Sequence, residues 1–425
     1  MAKSPLTWRN WSGGLSCTPE LLAQPRDEAE LATVVKAAAK LRVVGAGHSF
    51  SPLVPTGGAL VSLDSMEGLL GFSRDFCRAE VEAGTRIAAL GPLLHEVGQA
   101  LPNQGDIDRQ SIAGAVATGT HGTGIGLGSL ATAVRSLRLL LADGSVLDCS
   151  PEKESEVFEA ARLSLGALGV MTRVELQNRP SYRLAEWIGV VPLAQVLAEI
   201  DRLKDQHRHV ETWVFPYGKT AILKWLDETT EEPSGGGASE FTDNVVLKLV
   251  SEMVRFLPAS KGFWQRVVGF FVGEKRRAGD SWRIFPSPRE VRFHEMEYHV
   301  PAAQGPECLA ELVAAVEKAD LPVFFPIEYR YVAGDDLWLS PFSGGARASI
   351  AVHQYAKQDP RPLFRLAEPI LLRWGGRPHW GKIFDPELAK VHELYPNWER
   401  WQTVRRRLDP GGKFLNPFLA KVFGV

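Results

Sequence analysis

Two glycine-rich segments set the tightest limit on what this chain can fold into: VVGAGHSFSPL at 43–53 and SIAGAVATGTHGTGIGLGS at 111–129. Glycine reaches positive φ and lets backbone approach a ligand closely, so the amides of such loops can surround a pyrophosphate. Either loop alone reads as a tight turn. Two of them in one region, each with a histidine (His48 and His121), point to a nucleotide cofactor. They do not make the dinucleotide fingerprint of a Rossmann domain. Phe50 stands where the third glycine belongs, and no ribose-binding acid is apparent.

Around these loops the pattern mixes helix and strand. Residues 26–40, RDEAELATVVKAAAK, have helical spacing and an acidic first turn. LRVVGAG reads as a buried strand entering the glycine turn. Further strands are expected at 58–63, 76–81 and 134–141, the last turning through ADGS into VLDC. Residues 152–163 read as helix and GVMTRVEL as strand. Beyond Pro180 the character changes. Residues 193–203 and 305–318 are amphipathic helices, and 213–225 and 290–300 are strand regions. This predicts antiparallel strands with helices to one side. The acidic stretch 227–240 reads as a flexible loop. Residues 245–272 are broken by Lys248, Glu252, Arg255, Lys261 and Arg266, so they read as one or two amphipathic helices on the core.

A chain of 425 residues has room for two domains and a cleft between them. Its net charge of -2 offers no general surface for nucleic acid. Cys17, Cys77, Cys149 and Cys308 are far apart and form no CxxC pair, which points away from structural zinc or a disulfide framework and toward a cytoplasmic setting. The N-terminus shows no apolar signal region, and no apolar run is long enough for a membrane span.

GAGHSFSPL resembles the flavin-attachment segment of the covalent sugar-lactone and alditol oxidases, and GAVATGTHGTG resembles their second pyrophosphate loop. The likeness runs on, in order, through FPIEYRYVAGDDLWLSP, SIAVHQY, RPHWGK and LDPGGKFLNPF. The chain is thus similar, over nearly its whole length, to flavoproteins of the vanillyl-alcohol-oxidase type. Within them it resembles the bacterial D-arabinono- and L-gulono-1,4-lactone oxidases, with alditol oxidases a step further off. The resemblance implies an α+β fold: an FAD-binding domain of the PCMH type over 1–180, a substrate domain with a large antiparallel sheet flanked by helices over 181–400, and a C-terminal segment, 401–425, returning to the first domain.

The same resemblance implies FAD bonded through its 8α-methyl carbon to His48. Gly45, Ala46, Gly47, Ser49 and Phe50 would line the flavin with it. Ser111, Gly114, Thr118, Gly119, His121, Gly122 and Thr123 would serve the second loop, and Ser164, Gly169 and Val170 the adenosine side. Gly105 falls where a small residue governs oxygen access, and Asp106 replaces the serine of alditol oxidases, which favours lactones. Glu328 and Arg330 are two apart in IEYR, a spacing that puts both on one face of a strand. By resemblance they hold the substrate hydroxyls, with His353 and Tyr355 lining the same cleft and either His353 or Glu328 as the base. Lys382 would stand at the flavin N1–C2=O edge, positioned by His379 and Trp380, and Asn416 would belong to the returning segment.

The implied reaction is oxidation of a hydroxyl of a sugar 1,4-lactone (L-gulono, L-galactono or D-arabinono) with dioxygen as acceptor. An alditol oxidase and a dehydrogenase with another acceptor remain open. The expected partners are a sugar lactone or polyol and dioxygen, with no integral membrane association and a monomer or small homo-oligomer. FHEMEYH holds His294, Glu295 and His299, but the histidines are five apart, not four, and a strand would face them oppositely. No metal is expected there.

Overall fold

The computed structural model describes residues 7–234, 238–287 and 289–425. Among the described residues the first domain holds a three-stranded and a five-stranded sheet, besides two short two-stranded ones. Strands Leu21–Ala23 (β1), Leu41–Val44 (β2) and Ala59–Ser62 (β3) form a parallel sheet in the order β1-β3-β2. Helix Glu28–Ala37 (α1) crosses between the first two. It starts two residues later than the spacing suggests because the Asp27 side chain caps it at Glu30 N. An antiparallel sheet follows, built from Leu69–Ser73 (β4), Arg78–Glu82 (β5), Val134–Leu140 (β6), Val146–Cys149 (β7) and Val170–Gln177 (β8), in the order β7-β6-β8-β5-β4. The expected strand over 76–81 begins later, because Cys77 takes φ 48 in the turn before β5.

The second domain is one antiparallel sheet of eight strands. They are Arg183–Pro192 (β9), His209–Phe215 (β10), Thr220–Thr229 (β11), Lys275–Asp280 (β12), Phe293–Pro301 (β13), Ile327–Val332 (β14), Arg347–Tyr355 (β15) and Arg377–Pro378 (β16). Their order is β12-β9-β11-β10-β14-β15-β13-β16. The strand region expected over 213–225 is a hairpin, turning at Pro216–Gly218 with Lys219 in the left-handed region. The acidic stretch is not all loop. Residues 227–229 finish β11 opposite Ala185, Leu184 and Arg183, and 235–237 lie outside the described residues.

Alternation gives this sheet two unlike faces. One carries Val210, Val214, Met296, Tyr298, Tyr329, Tyr331, Ile350 and Val352, all buried. Helices Leu193–Gln206 (α2), Gly305–Ala319 (α3) and Arg361–Arg373 (α4) cover it. The fit is tight: a Cβ on Gly305 would lie 2.1 Å from the Tyr329 hydroxyl. The other face is charged and meets the first domain. Residues 245–272 fall into two helices, Ala238–Phe256 (α5) and Lys261–Val272 (α6). Val250 and Val254 pack on Phe324, while Leu249, Phe256, Leu257 and Phe263 are exposed. No helix among the described residues is long and apolar enough to cross a membrane.

The chain's end is sewn back into the first domain. Leu41 N donates to Lys413 O (2.9 Å), and Lys40 Nζ to Gly412 O (2.6 Å). Asn416 caps the last helix, Pro417–Phe423, and its amide donates to Pro52 O (2.8 Å) and Pro55 O (2.9 Å).

Candidate active site

A cleft of about 1010 Å³, its open mouth included, runs through the first domain. It joins three stretches distant in sequence: 42–49, 110–118 and 164–171. Its lining is rich in glycine and alanine, and several of these glycines have no room for a Cβ. A Cβ on Gly84 would lie 2.0 Å from Leu63 O, and one on Gly45 would lie 2.3 Å from the Ser111 hydroxyl. Gly47 and Gly169 take φ of 67 and 153, which side chains resist. A trough with many small residues and few charged side chains lets backbone amides approach a dinucleotide, so the residues present fit FAD. Gly45, Ala46, Gly47, His48, Ser49, Ser111, Gly114, Thr118, Ser164, Gly169 and Val170 all line it.

One lining residue carries no sequence signal. Arg42 is buried, and its guanidinium donates to Leu53 O (2.7 Å), Leu165 O (2.7 Å), Gly166 O (3.0 Å) and Phe414 O (2.6 Å). Its partners are carbonyls, so nothing offsets burial, which lowers its pKa to about 10. It still stays protonated and clamps three chain segments around the cleft. His48 stacks on Trp11 with centroids 5.2 Å apart. Burial first, then Lys382, Arg86 and Arg109, lower its pKa to about 4. At neutral pH it is an uncharged imidazole with a lone pair available.

The turn after β16 docks on the first glycine loop, where Phe50 N donates to Gly381 O (2.7 Å). That brings Lys382 over the Phe50 ring, 5.3 Å from its centroid. The lysine is held by Glu295 (2.5 Å) and lies 3.7 Å from Glu297. His379 Nδ1 accepts from Gly381 N (3.0 Å), which shapes the turn.

The charged face of the eight-stranded sheet stands across from this turn. Glu328 and Arg330 of β14 share that face, 3.4 Å apart. Arg330 also donates to Glu297 (2.6 Å), which accepts from Ser349 and lies 3.2 Å from His121 Nε2. Burial opposes a charge on Glu297, yet Arg330, His121 and Lys382 hold its carboxyl well below the usual range. Burial likewise opposes Glu295, but Lys382 and then His353 bring it down to about 2. His353 donates from Nδ1 to Pro326 O (3.1 Å) and turns Nε2 toward Glu295 (3.4 Å). Among the fully buried atoms on this face without a hydrogen-bond partner are Arg330 Nε and Glu297 Oε2, of two side chains paired at 2.6 Å. A donor and an acceptor beside one another are what a hydroxyl can satisfy.

Glu295 and Glu297 were missed as anchors because FHEMEYH invites a metal reading. The usable signal was the i, i+2 spacing, which puts both carboxylates on one face of β13. His294 and His299 do fall on opposite faces of this strand. His121, Glu297 and His299 bring one ligand atom each within 4.8 Å of the others, but Glu297 Oε1 is engaged by Arg330 and Ser349.

The second glycine loop divides. Its first half lines the cleft and Gly119 closes the short helix there at φ 73. Its second half turns to the other domain. The Thr123 hydroxyl donates to Val210 O, His209 Nδ1 donates to Thr123 O (2.8 Å), and Gly124 N donates to Tyr331 O (2.7 Å). Gly122 has no room for a Cβ, which would lie 2.3 Å from Gln104 O. Thr123 and His121 therefore reach the other domain, through Val210 and Glu297, and Gly122 packs against Gln104; none of the three lines the cleft, where phosphate contact was expected of Gly122 and Thr123, and His121 is the structural hydrogen-bonder its isolation suggests. Tyr355 is also redirected: its hydroxyl donates to Glu252 of α5 (2.5 Å), and its ring packs with Phe325. Gly105 abuts the loop backbone, where a Cβ would meet His121 O at 3.0 Å. Asp106 is paired with Arg289 (3.1 Å) and faces Glu211 and Glu328.

The family model for D-arabinono-1,4-lactone oxidase matches residues 174–422, and an FAD binding domain model matches 19–150. The chain belongs to the D-arabinono-1,4-lactone oxidase family. It is 38% identical to an L-gulono-1,4-lactone dehydrogenase of Mycobacterium tuberculosis over 430 residues, 99% of this chain and 100% of that one. It is 33% identical to an L-gulonolactone oxidase of Bos taurus, covering 98% of each chain. With an alditol oxidase of a Streptomyces species it shares 32% identity over 96% of this chain and 97% of that one. In fold it is similar to a cholesterol oxidase from Brevibacterium sterolicum, with a TM-score of 0.86 at 16% identity over 99% of this chain and 97% of that one.

Proposed function

We propose that this member of the family is an FAD-dependent sugar-1,4-lactone oxidase whose flavin is bonded to His48. The observation that carries the reading is the apposition of the cleft that His48 lines with a buried face that presents Glu328 and Arg330, and with the Lys382 turn docked between them. When bound, the flavin supplies a hydride acceptor that dioxygen reoxidises to give hydrogen peroxide. The chain's own residues do the rest. Arg330, anchored by Glu297, donates to the oxygen of a ring hydroxyl and the Glu328 carboxylate accepts its proton, which fixes the carbon to be oxidised. The hydroxyl proton leaves to Glu328 or His353. Lys382, gripped by Glu295, would place a fixed cation beside the flavin and favour negative charge on it. His48, an uncharged imidazole near neutrality, would be the residue that holds the flavin, through its 8α carbon. Gly105 keeps side-chain bulk away from the path of dioxygen.

The test is anaerobic bleaching of the flavin by a panel of sugar lactones and alditols. Lactones should bleach it at lower concentration than xylitol or sorbitol; the reverse order would make it an alditol oxidase. Peroxide formed per lactone oxidised should approach one, and a value near zero would assign another electron acceptor. Acid precipitation should leave the flavin on the wild-type protein and release it from His48→Ala; full release from wild type ends the covalent assignment.

A further inference from the structure

Glu211 lies outside the pair that the reaction needs, yet it faces that pair. On β10 it is paired in register with Arg330 of β14 and with Lys224 of β11, so all three share the charged face. It is 2% exposed. Its carboxylate, that of Glu328 and that of Asp106, which comes from the first domain, bring their oxygens within 4.8 Å of one another. The cations around them are already engaged. Lys224 holds Glu211 (2.6 Å) and lies 3.6 Å from Glu186, Arg289 holds Asp106 (3.1 Å), and Arg330 holds Glu297 (2.6 Å). Beside this pole the buried Arg330 keeps its Nε without a hydrogen-bond partner.

We propose that Glu211 is a specificity-determining residue: with Asp106 and Glu328 it forms a three-carboxylate pole that accepts hydroxyl protons from a neutral lactone and rejects the ring-opened aldonate anion. This rests on the lactone-oxidase reading above. A lactone and its hydrolysis product carry the same hydroxyls and differ in charge. A pocket that recognised hydroxyls alone would bind both. Here an incoming carboxylate meets three others and finds the local cations paired, whereas each lactone hydroxyl finds an acceptor.

The electrostatics agree. Burial, then Asp106, raise the Glu211 carboxyl to about 7; Lys224 opposes them and Glu328 adds to the rise. Asp106 is held low: burial opposes its charge, but Lys224, Arg289 and Arg330 prevail. As pH rises through 7 the pole gains charge. Donated hydroxyls favour the ionised form, so lactone binding tightens while aldonate binding weakens. Discrimination therefore increases with pH.

The experiment measures initial-rate KM for L-gulono-1,4-lactone and the competitive inhibition constant of L-gulonate at pH 6 and 7.5, for wild type, Glu211→Gln and Asp106→Asn holoenzymes. For wild type, the gulonate constant divided by the lactone KM should rise several-fold between the two pH values. Glu211→Gln should bind gulonate about tenfold more tightly at pH 7.5, as expected for removing one nearby charge in a partly screened pocket, and its ratio should no longer depend on pH. Asp106→Asn should move gulonate binding the same way and carries the test if Glu211→Gln does not fold. Unchanged gulonate binding in a folded variant, or a ratio that keeps its pH dependence in Glu211→Gln, overturns the proposal. Wild type that no lactone reduces would instead defeat the lactone-oxidase reading, a different outcome from active enzyme with equal affinity for both ligands.

Discussion

Replacing Glu297 by glutamine removes one charge from the centre of the charged face and almost no volume. Glu297 is 1% exposed. It accepts from Arg330 at 2.6 Å and from Ser349, and stands 3.7 Å from Lys382. Breaking a buried ion pair costs about 3–5 kcal/mol, because the remaining charge keeps its desolvation cost. Glutamine retains one carbonyl acceptor, and Arg330 retains Glu328 at 3.4 Å, so the lower end, about 3 kcal/mol, is expected. In a protein of this size each kcal/mol moves the melting temperature by roughly 1 °C, or about 3 °C in all. Turnover should fall further than stability implies. Arg330 would no longer be fixed from behind, and a misplacement of about 1 Å costs roughly 10²-fold.

The pH dependence has a definite sign. The Glu297 carboxyl is held well below its unfolded range by Arg330, His121 and Lys382, against burial. Its contribution is present in full above the unfolded value of about 4.3 and is lost as pH falls toward the folded one. The gap between wild type and Glu297→Gln should therefore be constant from pH 6 to 8 and close below about pH 4. Differential scanning calorimetry and steady-state rates on one lactone measure both effects. A melting shift under about 2 °C together with kcat/KM within threefold of wild type would refute the assignment of Glu297 as the anchor of Arg330.

Arg42→Met should destabilise by about 3–5 kcal/mol, since buried carbonyls at Leu53, Leu165, Gly166 and Phe414 lose a charged donor; urea unfolding measures it, and a loss under 1 kcal/mol contradicts the clamp. Gly84→Ala should cost about 1–3 kcal/mol and lower FAD content, because its Cβ would press 2.0 Å from Leu63 O, a backbone atom that cannot rotate aside; the flavin-to-protein absorbance ratio reports the second effect. Acid-stable flavin attachment to apo-protein should proceed at one rate from pH 5.5 to 8 and slow as pH approaches about 4, where His48 gains a proton. A rate that climbs steeply between pH 6 and 8 would show that the attacking imidazole is charged at neutrality.

Features that depend on spacing along one segment were legible. The glycine loops could be read as cofactor backbone because glycine is demanded locally, as by the positive φ at Gly47. IEYR announced a face with Glu328 and Arg330, since alternation is a property of the strand itself. The two helices over 245–272 and the ADGS hairpin followed from the same kind of local rule. The reading of 213–225 stopped short of a hairpin because PYGK lacks the usual glycine-led turn signature, although Lys219 occupies a left-handed position there.

What the sequence determined by itself is therefore the inventory: a nucleotide-binding backbone, a strand carrying a carboxylate and a guanidinium, and a lysine near the end. Tertiary structure decided who is paired with whom. Glu297 and Arg330 are 33 residues apart, and Arg42 and Phe414 are 372 apart. No periodicity connects such positions, because strand order and domain docking bring them together. A buried charge takes its protonation state and its task from those neighbours, so Glu211 acquires its character only where three strands and a loop of the other domain converge.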